Sequence, residues 1–153
     1  MSKYNYWHWN NLISKNEIVF INKLIDSNFD IIEDKESSSK DIEGNHKKNN
    51  TVKIILYKKI KHLLNNVINN CTHVARYNFG YDVFEPSDTD GCNLNIYSSK
   101  KREKYSWHTD GTDNPLIDIK LTILINLSLK KYEGGSFYLF YNNEMEVPEL
   151  TSP

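Results

Sequence analysis

Apolar residues recur at helical spacing twice in the first half of the chain and at every second position in much of the second half. Ser14 followed by Glu17 has the form of a capping box, in which each residue satisfies a backbone N–H that a helix start leaves unpaired. Ile18, Ile21, Leu24 and Ile25 follow at three- and four-residue spacing and predict the buried stripe of a first helix. A second stripe of the same kind runs through Leu56, Ile60, Leu63, Leu64, Val67, Ile68 and Cys71. Between the two, 37–50 is polar, with Ser37-Ser38-Ser39, Gly44 and Asn49-Asn50, and predicts a surface loop.

Beyond about Ala75 the period changes to two, which predicts strands at 77–84, 92–98, 119–127 and 136–141, with Gly134-Gly135 turning into the last of them. In 92–98, Asn93, Asn95 and Tyr97 share one side, and Leu94 and Ile96 the other. In 119–127, Ile119, Leu121, Ile123, Ile125 and Leu127 form an apolar face opposite Lys120, Thr122, Leu124 and Asn126. Strands with one apolar and one partly polar face suit a sheet that packs on helices outside and lines a pocket inside. The expectation is that Asn93, Asn95, Tyr97, Thr122 and Asn126 face inward while the odd-numbered apolar set packs on the helices. Two helices followed by short strands outline an α+β fold, with N-terminal helices packed on a jelly roll. At 153 residues the chain reads as a single domain, 1–153, with helical support over 1–75 and a jelly-roll core over 76–153.

Charge and cysteine content narrow the partners. Nineteen basic and 20 acidic side chains give a formal net charge of −1, so no general attraction to nucleic acid or to an anionic membrane is expected. Lys47-Lys48 and Lys100-Lys101-Arg102 are read as solvated loops. Cys71 and Cys92 make no zinc or redox spacing and suit a reducing compartment. The aromatic, polar start has no apolar run of signal-peptide length, and no stretch has the length of a membrane span. A cytoplasmic protein is expected.

The candidate chemistry lies in Ser106-Trp107-His108-Thr109-Asp110-Gly111. Side chains two residues apart on extended backbone point the same way, so His108 and Asp110 can share one metal ion. Such a pair is two-thirds of the 2-His-1-carboxylate triad of non-haem Fe(II) oxygenases. Tyr97…Tyr105-Ser106-Trp107-His108-Thr109-Asp110, then Lys120-Leu121-Thr122…Asn126-Leu127-Ser128, then Tyr132-Glu133-Gly134-Gly135-Ser136-Phe137 resembles the Fe(II)/2-oxoglutarate-dependent dioxygenases of the prolyl 4-hydroxylase-like branch. The order and spacing agree over about 93–150.

The resemblance implies a double-stranded β-helix (jelly roll) holding Fe(II), with 2-oxoglutarate as cosubstrate and O2 as oxidant. The reaction it implies is hydroxylation of a small molecule or a protein side chain. It makes His108 and Asp110 metal ligands. It gives Tyr97, eleven residues before His108, the position of a cosubstrate-contacting tyrosine, and sets Tyr105 near the same pocket. The family's distal His and the basic residue that clamps 2-oxoglutarate have no counterpart, since no His follows His108. Arg76 and Arg102 do not match the basic residue, and His8, His46, His62 and His73 all precede the barrel. The expectation is therefore an oxygenase domain lacking its last strands and inactive as these 153 residues alone. A non-catalytic jelly-roll remnant that binds a small ligand or a protein is the alternative. A hydrolytic zinc site would call for further close-spaced ligands.

Several of these residues also have ordinary structural readings. Tyrosines number ten, and strands favour them, so Tyr97 equally suits packing. Asn95 and Asn126 equally suit hydrogen bonds to backbone at strand ends. Trp107 should alternate to the side opposite His108 as wall or core, and Lys120 suits a snorkelling surface position.

Overall fold

The computed structural model describes residues 6–28, 31–36, 49–110 and 118–150. Helix α1 (Lys15–Asn28) begins at the capping box: the Ser14 N–H donates to Glu17 Oε2 at 2.7 Å, and the Glu17 N–H donates to Ser14 Oγ at 3.3 Å. Its stripe is covered as its spacing predicts, with Ile21 and Ile25 buried and Ile18 and Leu24 half-buried. Strands β1 (Ile31–Glu36) and β2 (Asn49–Leu56) follow, and β2 runs without a break into helix α2 (Tyr57–Val74). Strand β3 (Gly91–Ile96) completes an antiparallel sheet of order β1-β2-β3. Strands β4 (Tyr138–Tyr141) and β5 (Asn143–Glu146) form a separate antiparallel hairpin turned at Asn142, whose φ is 63°.

The chain divides into two compact units. One consists of Leu24–His62 and Pro86–Ile119. Its central strand β2 is rich in β-branched residues, pairs Ile54 with Ile31 on one side and with Asn93 on the other, and buries Val52 and Ile55. Asn50 is also buried there, and its Nδ2 donates to Asn95 Oδ1 at 3.2 Å. No Ser, Thr, Asp or Asn precedes α2 to cap it. Instead the Tyr57 and Lys58 N–H groups donate to the carbonyls of Asp90 and Asp88 at 2.8 and 3.3 Å. Those carbonyls are presented by a turn in which Asp90 Oδ2 accepts the Ser87 N–H at 2.7 Å.

The other unit consists of Met1–Lys23, Leu63–Glu85 and Lys120–Pro153. Leu64, Val67, Cys71 and Val74 of α2 are buried there, so the predicted apolar face of α2 is its core face. Burial pushes the Cys71 thiol up to about 11, as befits an inert core residue. Asn22 Nδ2 donates to the Leu127 carbonyl at 3.0 Å, and the Val147 N–H donates to the Phe137 carbonyl at 2.8 Å with Val147 buried.

Four expectations from the pattern read differently in the structure. The first 75 residues carry two strands besides their helices, and Asn49-Asn50 begins β2; the rest of the expected 37–50 loop lies outside the described residues. The expected strand at 77–84 is instead a π-helical turn, Ala75–Phe79, that prolongs α2 until Gly80 adopts φ 74°. The buried stripe of α2 ends with Cys71, Val74 and Ala75, and the helical backbone runs on for one more turn with Tyr77 exposed. The segment expected as a strand at 119–127 has no strand assignment. Leu121, Ile125 and Leu127 are half-buried, but Ile119 and Ile123 are 44% and 37% exposed, so its apolar face does not pack as a unit. Among the described residues no helix is long and apolar enough to cross a membrane.

Candidate metal centre

Strand β3 alternates over its first residues, with Cys92 and Leu94 half-buried, but Ile96 is 38% exposed and the side of Asn93 and Asn95, expected to face inward, is exposed; the strand delivers Tyr97 to a short loop. That loop is closed on Ser98. A 3-10 turn, Ser99–Lys101, follows, and the Lys101 and Glu103 N–H groups both donate to the Ser98 carbonyl, at 3.2 and 3.3 Å. Arg102 takes the left-handed conformation with φ 52°, and the Glu103 carboxylate turns back to accept the Ser98 N–H. The Glu103 side chain is only 6% exposed, while Lys100, Lys101 and Arg102 are exposed, as a solvated basic run should be. Glu103 gave no sequence signal, because it sits inside that run.

From this anchored loop the chain passes through Tyr105 and Ser106 to the pair. His108 Nε2 lies 3.3 Å from Asp110 Oδ1, and His108 Nδ1 lies 2.8 Å from the Ser106 carbonyl oxygen. The Tyr105 ring stacks on the His108 imidazole with centroids 3.7 Å apart and planes 9° from parallel. Trp107, between them in sequence, is 51% exposed, so it is not the core residue that alternation suggested.

These distances constrain the chemistry of the pair. A carbonyl oxygen only accepts, so Nδ1 carries the proton that it donates to Ser106. In the neutral ring, Nε2 then presents a lone pair to a carboxylate oxygen that presents lone pairs of its own. Two acceptors 3.3 Å apart leave room for a shared cation between them. Two bonds of about 2.1 Å to one ion, meeting at about 90–109°, hold their donor atoms about 3.0–3.4 Å apart. The observed separation falls in that range, and a backbone carbonyl on the other ring nitrogen is the usual partner of a metal-ligating His. The donor set therefore fits a divalent metal. Among the described residues there is no group of three or more His, Cys, Asp or Glu that could hold one, so the pair alone would supply two ligands. His73 lies instead against the Tyr77 ring at 4.5 Å, and His46 lies outside the described residues.

Tyr97 and Tyr105 are 48% and 42% exposed. Burial pushes the Tyr97 hydroxyl above the usual phenol value, with a further contribution from Tyr105; burial and then Asp110 push the Tyr105 hydroxyl the same way. Both therefore remain protonated phenols that can donate to an anionic group. Of the other residues expected on the inner face, Asn93 and Thr122 are exposed, and Asn95 and Asn126 have structural partners. Asn95 accepts from Asn50, and Asn126 accepts the Ser128 N–H at 3.0 Å while donating to the Tyr132 hydroxyl at 3.0 Å. Lys120 lies 6.0 Å from the Tyr81 ring centroid.

No family model, curated protein or solved structure matches this chain.

Proposed function

We propose that this chain carries the proximal metal ligands of an Fe(II)/2-oxoglutarate-dependent oxygenase, a cytoplasmic hydroxylase of the α+β jelly-roll type. The observation that carries the reading is the orientation of His108, whose Nδ1 is committed to the Ser106 carbonyl and whose Nε2 faces Asp110 Oδ1 at 3.3 Å. Fe(II) bound with 2-oxoglutarate and O2 supplies oxidative decarboxylation coupled to insertion of oxygen into a C–H bond of the substrate. The chain's own residues prepare that site. His108 and Asp110 present one neutral nitrogen and one anionic oxygen to a single point, and Ser106 keeps the imidazole in the tautomer that can ligate. Tyr97, on the loop that Glu103 closes, offers a neutral hydroxyl donor to a cosubstrate carboxylate. With a balanced net charge, the substrate is a small molecule or a protein side chain rather than a nucleic acid or a membrane surface.

Anaerobic titration with Co(II) or Fe(II) tests the reading in the wild type and in His108→Ala and Asp110→Ala. Each substitution is expected to weaken metal binding at least about tenfold. Without a counterpart of the family's 2-oxoglutarate-clamping residue, these 153 residues should form little or no succinate from 2-oxoglutarate even when loaded with Fe(II). Equal metal binding by all three proteins would mean that the pair does not bind the metal, and would favour a non-catalytic binding protein.

A further inference from the structure

We infer that Tyr105 is a positioning residue for the metal pair, holding the His108 imidazole by face-to-face stacking in the orientation that turns Nε2 toward Asp110. The inference rests on the proposed metal site and gives Tyr105 a role different from cosubstrate contact.

An imidazole on an exposed segment has two side-chain torsions to fix. His108 is such a case, since neither it nor its neighbours Trp107 and Thr109 are buried. The bond from Nδ1 to the Ser106 carbonyl restrains where the ring edge points, but it leaves the ring free to rock about the N···O axis. A second restraint on the ring plane is needed for Nε2 to stay aligned with Asp110. The Tyr105 ring provides it, since it lies 3.7 Å away and only 9° from parallel, covering one whole face of the imidazole.

The stacking geometry also says which form of the ring it favours. Two neutral aromatic rings prefer offset or edge-to-face contact, with centroids about 4.5–7 Å apart. A close, nearly parallel pair such as this one is favoured when one ring is electron-poor and lies over the electron-rich face of the other, the arrangement of a cation–π contact. Coordination of Nε2 to a divalent cation withdraws electron density from the imidazole in that sense. The stack is therefore suited to the metal-bound ring, and Tyr105 should strengthen metal binding without touching the metal.

The test uses the full chain, Co(II) alone as the probe, and the variants Tyr105→Phe, Tyr105→Leu and Tyr105→Met; the last two keep an apolar side chain but remove the ring. In the metal-free wild type, the His108 ring protons should be shifted upfield by the tyrosine ring current relative to His108 in Tyr105→Leu. Tyr105→Phe should keep both the upfield shift and the wild-type Co(II) affinity, because the ring and not the hydroxyl does the positioning. Tyr105→Leu and Tyr105→Met should lose the shift and bind Co(II) on the order of threefold to tenfold more weakly. Tyr105→Met decides the question if Tyr105→Leu does not fold. Wild-type Co(II) affinity in a folded ring-less variant, with His108→Ala still impaired, overturns the inference while leaving the metal site standing. Unimpaired Co(II) binding by His108→Ala overturns both. Absence of the ring-current shift in the wild type overturns the stack itself.

Discussion

Replacing Asn50 with Val should stabilise the protein. Asn50 is 3% exposed in β2, and its Oδ1 is a buried acceptor with no hydrogen-bond partner. Its Nδ2 donates to Asn95 Oδ1 at 3.2 Å and to the Thr51 carbonyl at 3.3 Å, both at the long end of the useful range. An amide flip would not help, because it would set the oxygen against those two acceptors. An unpaired buried acceptor costs about 1–3 kcal/mol, whereas two long bonds contribute together about 1 kcal/mol. Asn95 is exposed, so its freed oxygen can turn to water. Val also suits a strand better than Asn, by up to about 1 kcal/mol. The balance is a gain of about 1 kcal/mol. With a urea m-value of about 2 kcal/mol/M for a chain of this size, the midpoint should rise by about 0.5 M. Asn50→Asp, which forces a charge into the same place, should lower the midpoint. A fall in the midpoint for Asn50→Val would refute the reasoning, and would mean that the amide's tie between β2 and β3 outweighs its orphaned oxygen.

Ser14→Ala should cost about 1 kcal/mol in chemical denaturation by removing the cap of α1. The Ser14 hydroxyl, and after it the Ser14 N–H, hold the Glu17 carboxyl below its ordinary value. The stabilisation linked to that shift is present above the ordinary glutamate value and is lost as pH falls through the lowered folded-state value, so Ser14→Ala should flatten the acid limb of a stability–pH curve. A Cβ at Gly91 would lie 2.8 Å from Ile54 Cγ2, so Gly91→Ala should destabilise by about 1–3 kcal/mol. Adding Ile54→Ala should give a double mutant less destabilised than the sum of the two, measurable by a double-mutant cycle. Tyr132→Phe removes a hydroxyl that accepts from Asn126 and donates to the Leu150 carbonyl at 3.1 Å, and should cost about 1–2 kcal/mol in urea unfolding.

The parts of the fold that could be read in advance are those that local physics decides. The capping box at Ser14 and Glu17 and the helical stripes of α1 and α2 depend on contacts within a turn or two, and each forms where its spacing places it. Strand β2 was obscured because Ile54, Ile55 and Leu56 run directly into the apolar stripe of α2, and no capping residue marks the junction. The carbonyls that cap α2 come from Asp88 and Asp90, more than thirty positions later, and no local signal announces them. At 77–84 alternation suggested a strand, but α2 runs on as a π-helical turn to Phe79, and Tyr77, Tyr81 and Phe84 are exposed, so the alternation there marks no buried face. In the site, the convergence of His108 and Asp110 was readable from type and spacing, whereas Tyr105 came only from the resemblance and its stack on His108 was not foreseen. Glu103 and Asn50 were not readable, since a lone carboxylate in a lysine-rich loop and an asparagine in a polar stretch look like surface until their partners are known.

The contacts that define the candidate site all fall within Tyr105–Asp110. The stack spans three residues, and the carbonyl bond and the His–Asp contact span two each. A geometry built from such short-range contacts is set by the backbone of one segment and does not depend on the register of either sheet. The rest of the chain need only hold the ends of that segment, and on the N-terminal side the turn closed on Ser98 and pinned by Glu103 does so. Two requirements are thereby separated. On the proposed reading, the two metal-facing donors, His108 and Asp110, are written into six consecutive residues, and any further ligand has to come from outside them. Choice of substrate needs groups that converge from elsewhere in the fold and is not written into those residues at all. For that reason the proposed metal site can be argued from His108 and Asp110, while a substrate for it would have to be read from the surfaces around them.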